Sequence, residues 1–337
     1  MDNKAISIKD IAAMSGVSIA TVSRILNNKG GYSKKTEEKI KQICEENGFI
    51  INQAAKSLKE QKSNIVGMIV PNINNLFYAN MTFEVESILE EKGISLLICN
   101  TGNDSEKEKS YFKTLISKNV DGIICISGLS KIDNTVIPRN IPTVLLDRYP
   151  VNTLDLPVVM NDEIETATRM TNSLIDMGCK HILYLTGYSN KYEKNERLTG
   201  YEIALEQNHI PVDKRYELRR QGKQPSHIEY EVLVYDFLKL GLAVDGVLAG
   251  SERSALGALE AFRRMGISVP DDIKLISYDN TLCSILTTPT LSSVERNYKT
   301  SARTVCDLLL DIINGDKHME GQKIIVPTYL IERKSTK

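Results

Sequence analysis

Tryptophan is missing from this 337-residue chain, and histidine (four) and phenylalanine (six) are scarce. The six cysteines, Cys44, Cys99, Cys125, Cys179, Cys283 and Cys306, stand apart, with no CxxC pair and no histidine at metal-ligand spacing. That excludes a zinc module and a disulfide framework, and leaves buried, reduced thiols as the expectation. The histidines are equally scattered, so no Cys–His nucleophile pair is visible, and His181, at the start of an apolar strand, is expected to be structural. No apolar run is long enough to span a bilayer, and nothing near the N-terminus has the charged-then-apolar shape of a signal peptide. The expectation is a cytoplasmic protein with no membrane partner. Phosphate-cradling loops are missing too: there is no GxGxxG after the first apolar run and no GxxxxGK[ST], and the loop GSERSALG lacks the lysine that would hold a phosphate. A GxSxG elbow, an HExxH pair and a locally suggestive carboxylate pair are all wanting. The chain is therefore expected not to be an enzyme, with no catalytic residue, cofactor or metal.

What is present begins at residues 7–27, SIKDIAAMSGVSIATVSRILN. Ser7 with Asp10 three residues on makes a capping-box pattern, and Ile8, Ile11 and Ala12 then recur at helical spacing. Gly16 supplies a left-handed turn, Val17 is an apolar anchor, and Ser18 caps a second helix whose inward face is Val22, Ile25 and Leu26. Ile19, Ala20, Ser23, Arg24 and Asn27 are left pointing away from that core. The outward set suits a DNA major groove, where arginine bonds two acceptors on a guanine edge and small apolar groups meet thymine methyls. A third helix, Lys34–Asn47, starts at Ser33 and buries Ile40, Ile43 and Cys44.

Charge supports the division. Residues 1–62 hold eleven Lys/Arg against seven Asp/Glu, a surplus of four on a chain whose overall net charge is −1. A basic head on an acidic body points the head toward phosphates. A polar stretch, NQAAKSLKEQK, follows, and from Asn64 the pattern changes. Apolar runs NIVGMIV, ISLLIC, DGIICIS and PTVLLD alternate with amphipathic helical stretches. The alternation resumes after about residue 160 with HILYLTG, GVLAG and IKLIS. This is the βαβ pattern of parallel sheets covered on both faces, read as two doubly wound subdomains. Ligands in such folds bind at the carboxyl ends of the strands.

At this point the chain resembles the LacI family of transcriptional repressors, nearly end to end. The carrying segments are DIAAMSGVSIATVSRILNNKG, NQAAKSL, VPNINNLFYA, ERLTGYEIAL, ALGALEAFRRMGISVPDDIKLISYDN, LTTPTLSSV and YLIERKST. The resemblance implies a small all-α helix-turn-helix head joined by a hinge helix to an α/β body of two doubly wound parallel-sheet subdomains, similar to periplasmic sugar-binding proteins. The expected domains are the head over 1–50, hinge helix and linker over 51–62, an N-terminal subdomain over 63–161 plus about 296–321, and a C-terminal subdomain over 162–295 plus about 322–337.

By the same resemblance, Ile19, Ala20 and Arg24 face bases, while Ser7, Ser18, Thr21, Ser23, Asn27, Ser33 and Thr36 hold the DNA backbone. Asn52, Ala55, Lys56 and Leu58 belong to the hinge, with Leu58 the wedge between central base pairs. Two departures stand out: Ile51 replaces the usual proline before the hinge, and Lys56 the usual arginine. Arg197 and Asp279 occupy the positions of polar ligand contacts, since a guanidinium and a carboxylate each bond two adjacent hydroxyls. Phe77 and Tyr78 are expected against the ligand's apolar face, with Asn72, Asn161 and Asp162 as further candidates. Ser251 and Glu252 stand where the family has Asn-Asp. The function so implied is a ligand-responsive repressor of carbohydrate utilisation genes, released from a palindromic operator by a sugar effector. It would act as a homodimer, because the chain stops directly after LIERKSTK with no leucine-heptad tail. The alternatives are a regulator answering to a purine-like co-repressor or a protein co-regulator, and a sugar-binding protein without DNA activity.

Overall fold

The computed structural model describes residues 6–27, 29–49, 62–128, 136–138, 140–148, 150, 156–186, 195–219, 226–316 and 321–337. The chain divides into two compact units, residues 1–63 and 64–337.

In the first unit, helices α1 (Ile8–Ser15), α2 (Ile19–Leu26) and α3 (Lys34–Glu46) pack around Ile11, Ala12, Val22, Ile25 and Ile40. Ile8, Val17, Leu26, Ile43 and Cys44 lie half-buried at its margin. Each helix begins where its sequence says it should. Ser7 and Asp10 form a reciprocal capping box, while the hydroxyls of Ser18 and Ser33 accept from the backbone N–H groups of Thr21 and Thr36. Gly16 ends α1 at φ 71°, a conformation that costs glycine little. The Lys39 ammonium donates to the Ser15 carbonyl at 2.8 Å, placing a cation on the negative end of α1 and tying α3 to it.

The second unit holds two six-stranded sheets. The first, in order β11-β5-β4-β3-β1-β2, is parallel throughout. Its strands are β1 (Ile65–Val70), β2 (Ser95–Asn100), β3 (Gly122–Cys125), β4 (Thr143–Leu146), β5 (Val158–Met160) and β11 (Lys323–Ile325). The second, in order β12-β10-β9-β8-β6-β7, is parallel except for the β10–β12 pair. It is built from β6 (Ile182–Leu185), β7 (Glu217–Leu218), β8 (Gly246–Ala249), β9 (Lys274–Tyr278), β10 (Ser292–Glu295) and β12 (Tyr329–Ile331). Central strands such as β3, β6 and β8 are buried at every residue, as apolar runs covered on both faces must be.

Helices α4 (Leu76–Glu90), α5 (Ser105–Ser117) and α11 (Tyr298–Ile313) cover the first sheet. Helices α6 (Glu163–Asp176), α7 (Glu196–Gln207), α8 (His227–Leu238) and α9 (Glu252–Met265) cover the second, with the short α10 (Leu282–Leu286) between β9 and β10. The chain crosses between the sheets near Asn161, Arg296 and Pro327. One boundary differs from the sequence expectation. Residues 323–325, assigned there to the C-terminal subdomain, pair with Val158–Met160 in the first sheet, and only β12 belongs to the second. Three residues, Lys-Ile-Ile, carry no periodicity that could say which sheet they join.

Candidate functional site

On the head, the outward face of α2 is as the sequence laid it out. Ile19 is 49% exposed, and Ala20 and Arg24 are exposed beside it. The hydroxyls expected to meet the DNA backbone are engaged in capping: Ser7 with Asp10, Ser18 with Thr21, Ser33 with Thr36. Ser23 is half-buried, and Asn27 donates its amide to the Ser23 carbonyl. Their first task is to set the helix starts. Asn52, Ala55, Lys56 and Leu58 lie outside the described residues.

In the body, charged residues converge where strands of both sheets end. Asp147 follows β4 and Asp279 follows β9, each with a positive φ (63° and 83°) that breaks the strand and turns its carboxylate aside. Asp is among the few side chains that tolerate this conformation. Glu163 opens α6 and Arg197 sits in the first turn of α7, so the packing of that helix pair brings them together. Arg197 forks onto Glu163 at 2.7 and 3.0 Å, donates to the Gly250 carbonyl at 2.6 Å, and lies 3.9 Å above the Tyr278 ring. Arg296, beyond β10, is 4% exposed. Its guanidinium pairs with Asp147, with Glu163 at 2.9 Å and with Asp279 at 3.2 Å. Phe77 underlies it at 4.1 Å.

Charges this deeply buried persist only when they are paired. Burial pushes the Glu163 carboxyl up, but Arg197 and Arg296 outweigh it and hold the group at about 2. Asp279 goes the other way: burial dominates and keeps its carboxyl above the ordinary value despite Arg296 and Arg197. Burial likewise pushes the Tyr78 hydroxyl up to about 12. A carboxylate depressed on folding stabilises the native state above its unfolded value of 4.5, and that contribution is lost as the pH falls toward 2. Urea midpoints measured between pH 6 and pH 3 should therefore fall for the native protein. In Glu163→Gln that fall should be shallower, and an unchanged acid slope would count against the pairing.

Of the residues expected at a ligand site, the fold brings together Arg197, Asp279, Phe77 and Tyr78. Others are engaged elsewhere. The Asn161 amide donates to the carbonyls of Arg296 (3.2 Å) and Val326 (2.7 Å) and its oxygen accepts from Arg296, so it fastens the three crossovers to one another. Asp162 is an exposed cap that accepts from the Glu165 N–H, and Ser251 caps α9 in a box with Ser254. Glu252 is buried, and its two carboxylate oxygens accept from the hydroxyls of Thr281 and Ser284 at the α10 turn. The Asn72 oxygen accepts from the Asn74 N–H within its own loop. Sequence reasoning passed over Asp147, Glu163, Arg296 and Tyr278. A signal existed for two of them: Asp147 closes the apolar run PTVLLD and Arg296 follows LSSVE, both charges at strand ends. Among the described residues no cluster of His, Cys, Asp and Glu is arranged to hold a metal ion.

Residues 7–52 match the model of bacterial regulatory proteins of the lacI family, and residues 171–336 that of a periplasmic binding protein-like domain. The ribose operon repressor of Halalkalibacterium halodurans is 30% identical over 334 residues, covering 98% of this chain and 97% of that one. The transcriptional regulator DegA of Bacillus subtilis is 29% identical, with 98% of each chain covered. In three dimensions the lac repressor dimer bound to operator and the anti-inducer ONPF matches with a TM-score of 0.85 at 22% identity, over 99% of each chain, a likeness of fold. The complex of the transcriptional regulator CelR with cellobiose matches at 0.70 and 25% identity, over 98% of this chain and 99% of that one.

Proposed function

The chain belongs to the lacI family of bacterial regulatory proteins, and from that premise we propose that it is a dimeric, sugar-responsive repressor acting in the cytoplasm on carbohydrate utilisation genes. The observation that carries the reading is the pairing, in one chain, of a capped helix displaying Ile19, Ala20 and Arg24 with a body in which Asp147, Asp279, Arg197 and Arg296 converge, the two guanidiniums lying over the Tyr278 and Phe77 rings. The first set offers base-edge contacts. The second offers the paired donors and acceptors, with an apolar face, that adjacent sugar hydroxyls need. Relatives that are named for ribose control or solved with cellobiose support the sugar class. Two copies would read the halves of a palindromic operator, and ligand and operator affinities would be coupled reciprocally through the angle between the subdomains.

Footprinting against DNA upstream of the protein's own gene tests this directly. The expected result is a protected palindrome at physiological salt, and its absence would remove the repressor reading. Arg24→Ala should weaken that binding by about 1–3 kcal/mol, roughly 5- to 150-fold, and relax the preference at one base pair of each half-site. A uniform loss across all sequences would mean that Arg24 meets phosphate instead. Sugars and purines screened by thermal shift separate an inducer of the expected class from a purine-like co-repressor, since a ligand bound only by the native state raises its melting temperature.

A further inference from the structure

Arg296 lies among the residues expected to meet a ligand, against Asp279 and Phe77. Its guanidinium lies between a carboxylate of the first sheet, Asp147, and two groups that pack with the second, Glu163 and Asp279. An aromatic face from α4, Phe77, covers it. It is planar and donor-rich, so it satisfies both rims of the cleft at once, as a hydroxylated ligand would. Its stem is anchored at the crossovers, where Nε donates to Asn161 at 3.2 Å, while the terminal nitrogens reach across the cleft.

We propose that Arg296 is an internal competitor for the effector. It latches the two subdomains together, and it has to give up Asp147 before a polyhydroxylated ligand can take that carboxylate. One guanidinium thereby neutralises carboxylates from both subdomains, Asp147, Glu163 and Asp279. A pair buried at both ends (4% and 5% exposed) also resists screening by salt. The latch itself requires only the geometry of the body, so it stands apart from the operator reading. Its consequence for ligand affinity rests on the cleft being the effector site.

Hydrogen exchange on ligand-free, full-length protein tests the latch without operator or effector, so its failure is distinguishable from failure of the functional reading. Arg296→Gln and Asp147→Asn break the same contact from opposite ends. Each should speed exchange at least tenfold at amides around the crossovers and strand ends, at residues 145–148, 278–281 and 296–298. The centres of β3 and β8 should keep their protection. The double variant should add little to Arg296→Gln, which already removes the contact with Asp147. Unchanged exchange in both variants overturns the proposal. So does faster exchange spread evenly over both sheets, or additive effects in the double variant, which would make Arg296 a general structural ion. Asp147→Asn, which removes no arginine stem, covers the case in which Arg296→Gln does not fold.

Discussion

Arg197→Ala is expected to bind operator normally, to lose its response to effector, and to be less stable than the native protein by about 3 kcal/mol. Three contacts disappear together: the two-pronged bond to Glu163, the bond to the Gly250 carbonyl, and the guanidinium over Tyr278. Removing one partner of a buried ion pair typically costs ~3–5 kcal/mol, because the other charge stays behind in a low-dielectric site. Glu163 retains Arg296 at 2.9 Å, which sets the loss at the lower end of that range. Arg197→Lys should recover little, since a single ammonium cannot fork onto Glu163 and also reach Gly250. Gel shifts with and without a sugar identified by thermal shift, together with calorimetric melting, provide both readouts. An effector response that survives the alanine substitution would take Arg197 out of the ligand site. A stability loss well under 1 kcal/mol would contradict the buried pairing.

The second large effect is expected at Gly200. An exposed helical glycine replaced by alanine gains about 1 kcal/mol from propensity alone. Here the sign should reverse. A Cβ at Gly200 would stand 2.3 Å from the Ile164 carbonyl oxygen and 2.9 Å from the Thr168 nitrogen, backbone atoms of α6 that have nowhere to go. Overpacking of this kind costs ~1–3 kcal/mol and sometimes more, so Gly200→Ala should be clearly destabilised and Gly200→Val more so. The site should respond too, because α6 carries Glu163 and α7 carries Arg197, and forcing the helices apart lengthens that bond. Gly257 plays the matching part between α8 and α9, where a Cβ would meet the His227 carbonyl oxygen at 2.5 Å. Thermal melts of Gly200→Ala and Gly257→Ala should both fall, but only the first should weaken effector binding. A rise in either melting temperature would refute the close approach.

Local chemistry was legible in the sequence and long-range pairing was not. The three caps at Ser7, Ser18 and Ser33 involve partners three residues away, so spacing alone exposed them. Glu163 lies 34 residues from Arg197, and Asp147 lies 149 from Arg296. No periodicity links such positions. Glu252 shows another long-range partnership that spacing did not reveal. Its place after the β8 run marked it for a ligand, and the hydroxyls of Thr281 and Ser284, about thirty residues on, also bond its carboxylate.

By itself, then, the sequence determined a capped helix-turn-helix head, two alternating βα halves and the identity of the residues on the outward face of α2. It could do so because caps, turns and amphipathic periods are set by neighbours within one or two helical turns. Tertiary structure alone decided which strand ends meet, that the Asn161 amide bonds the crossovers, and that Arg296 lies between Asp147 and Asp279. Those outcomes depend on where three crossovers return the chain. Buried charges then select their partners by proximity and desolvation, which distance along the chain does not encode.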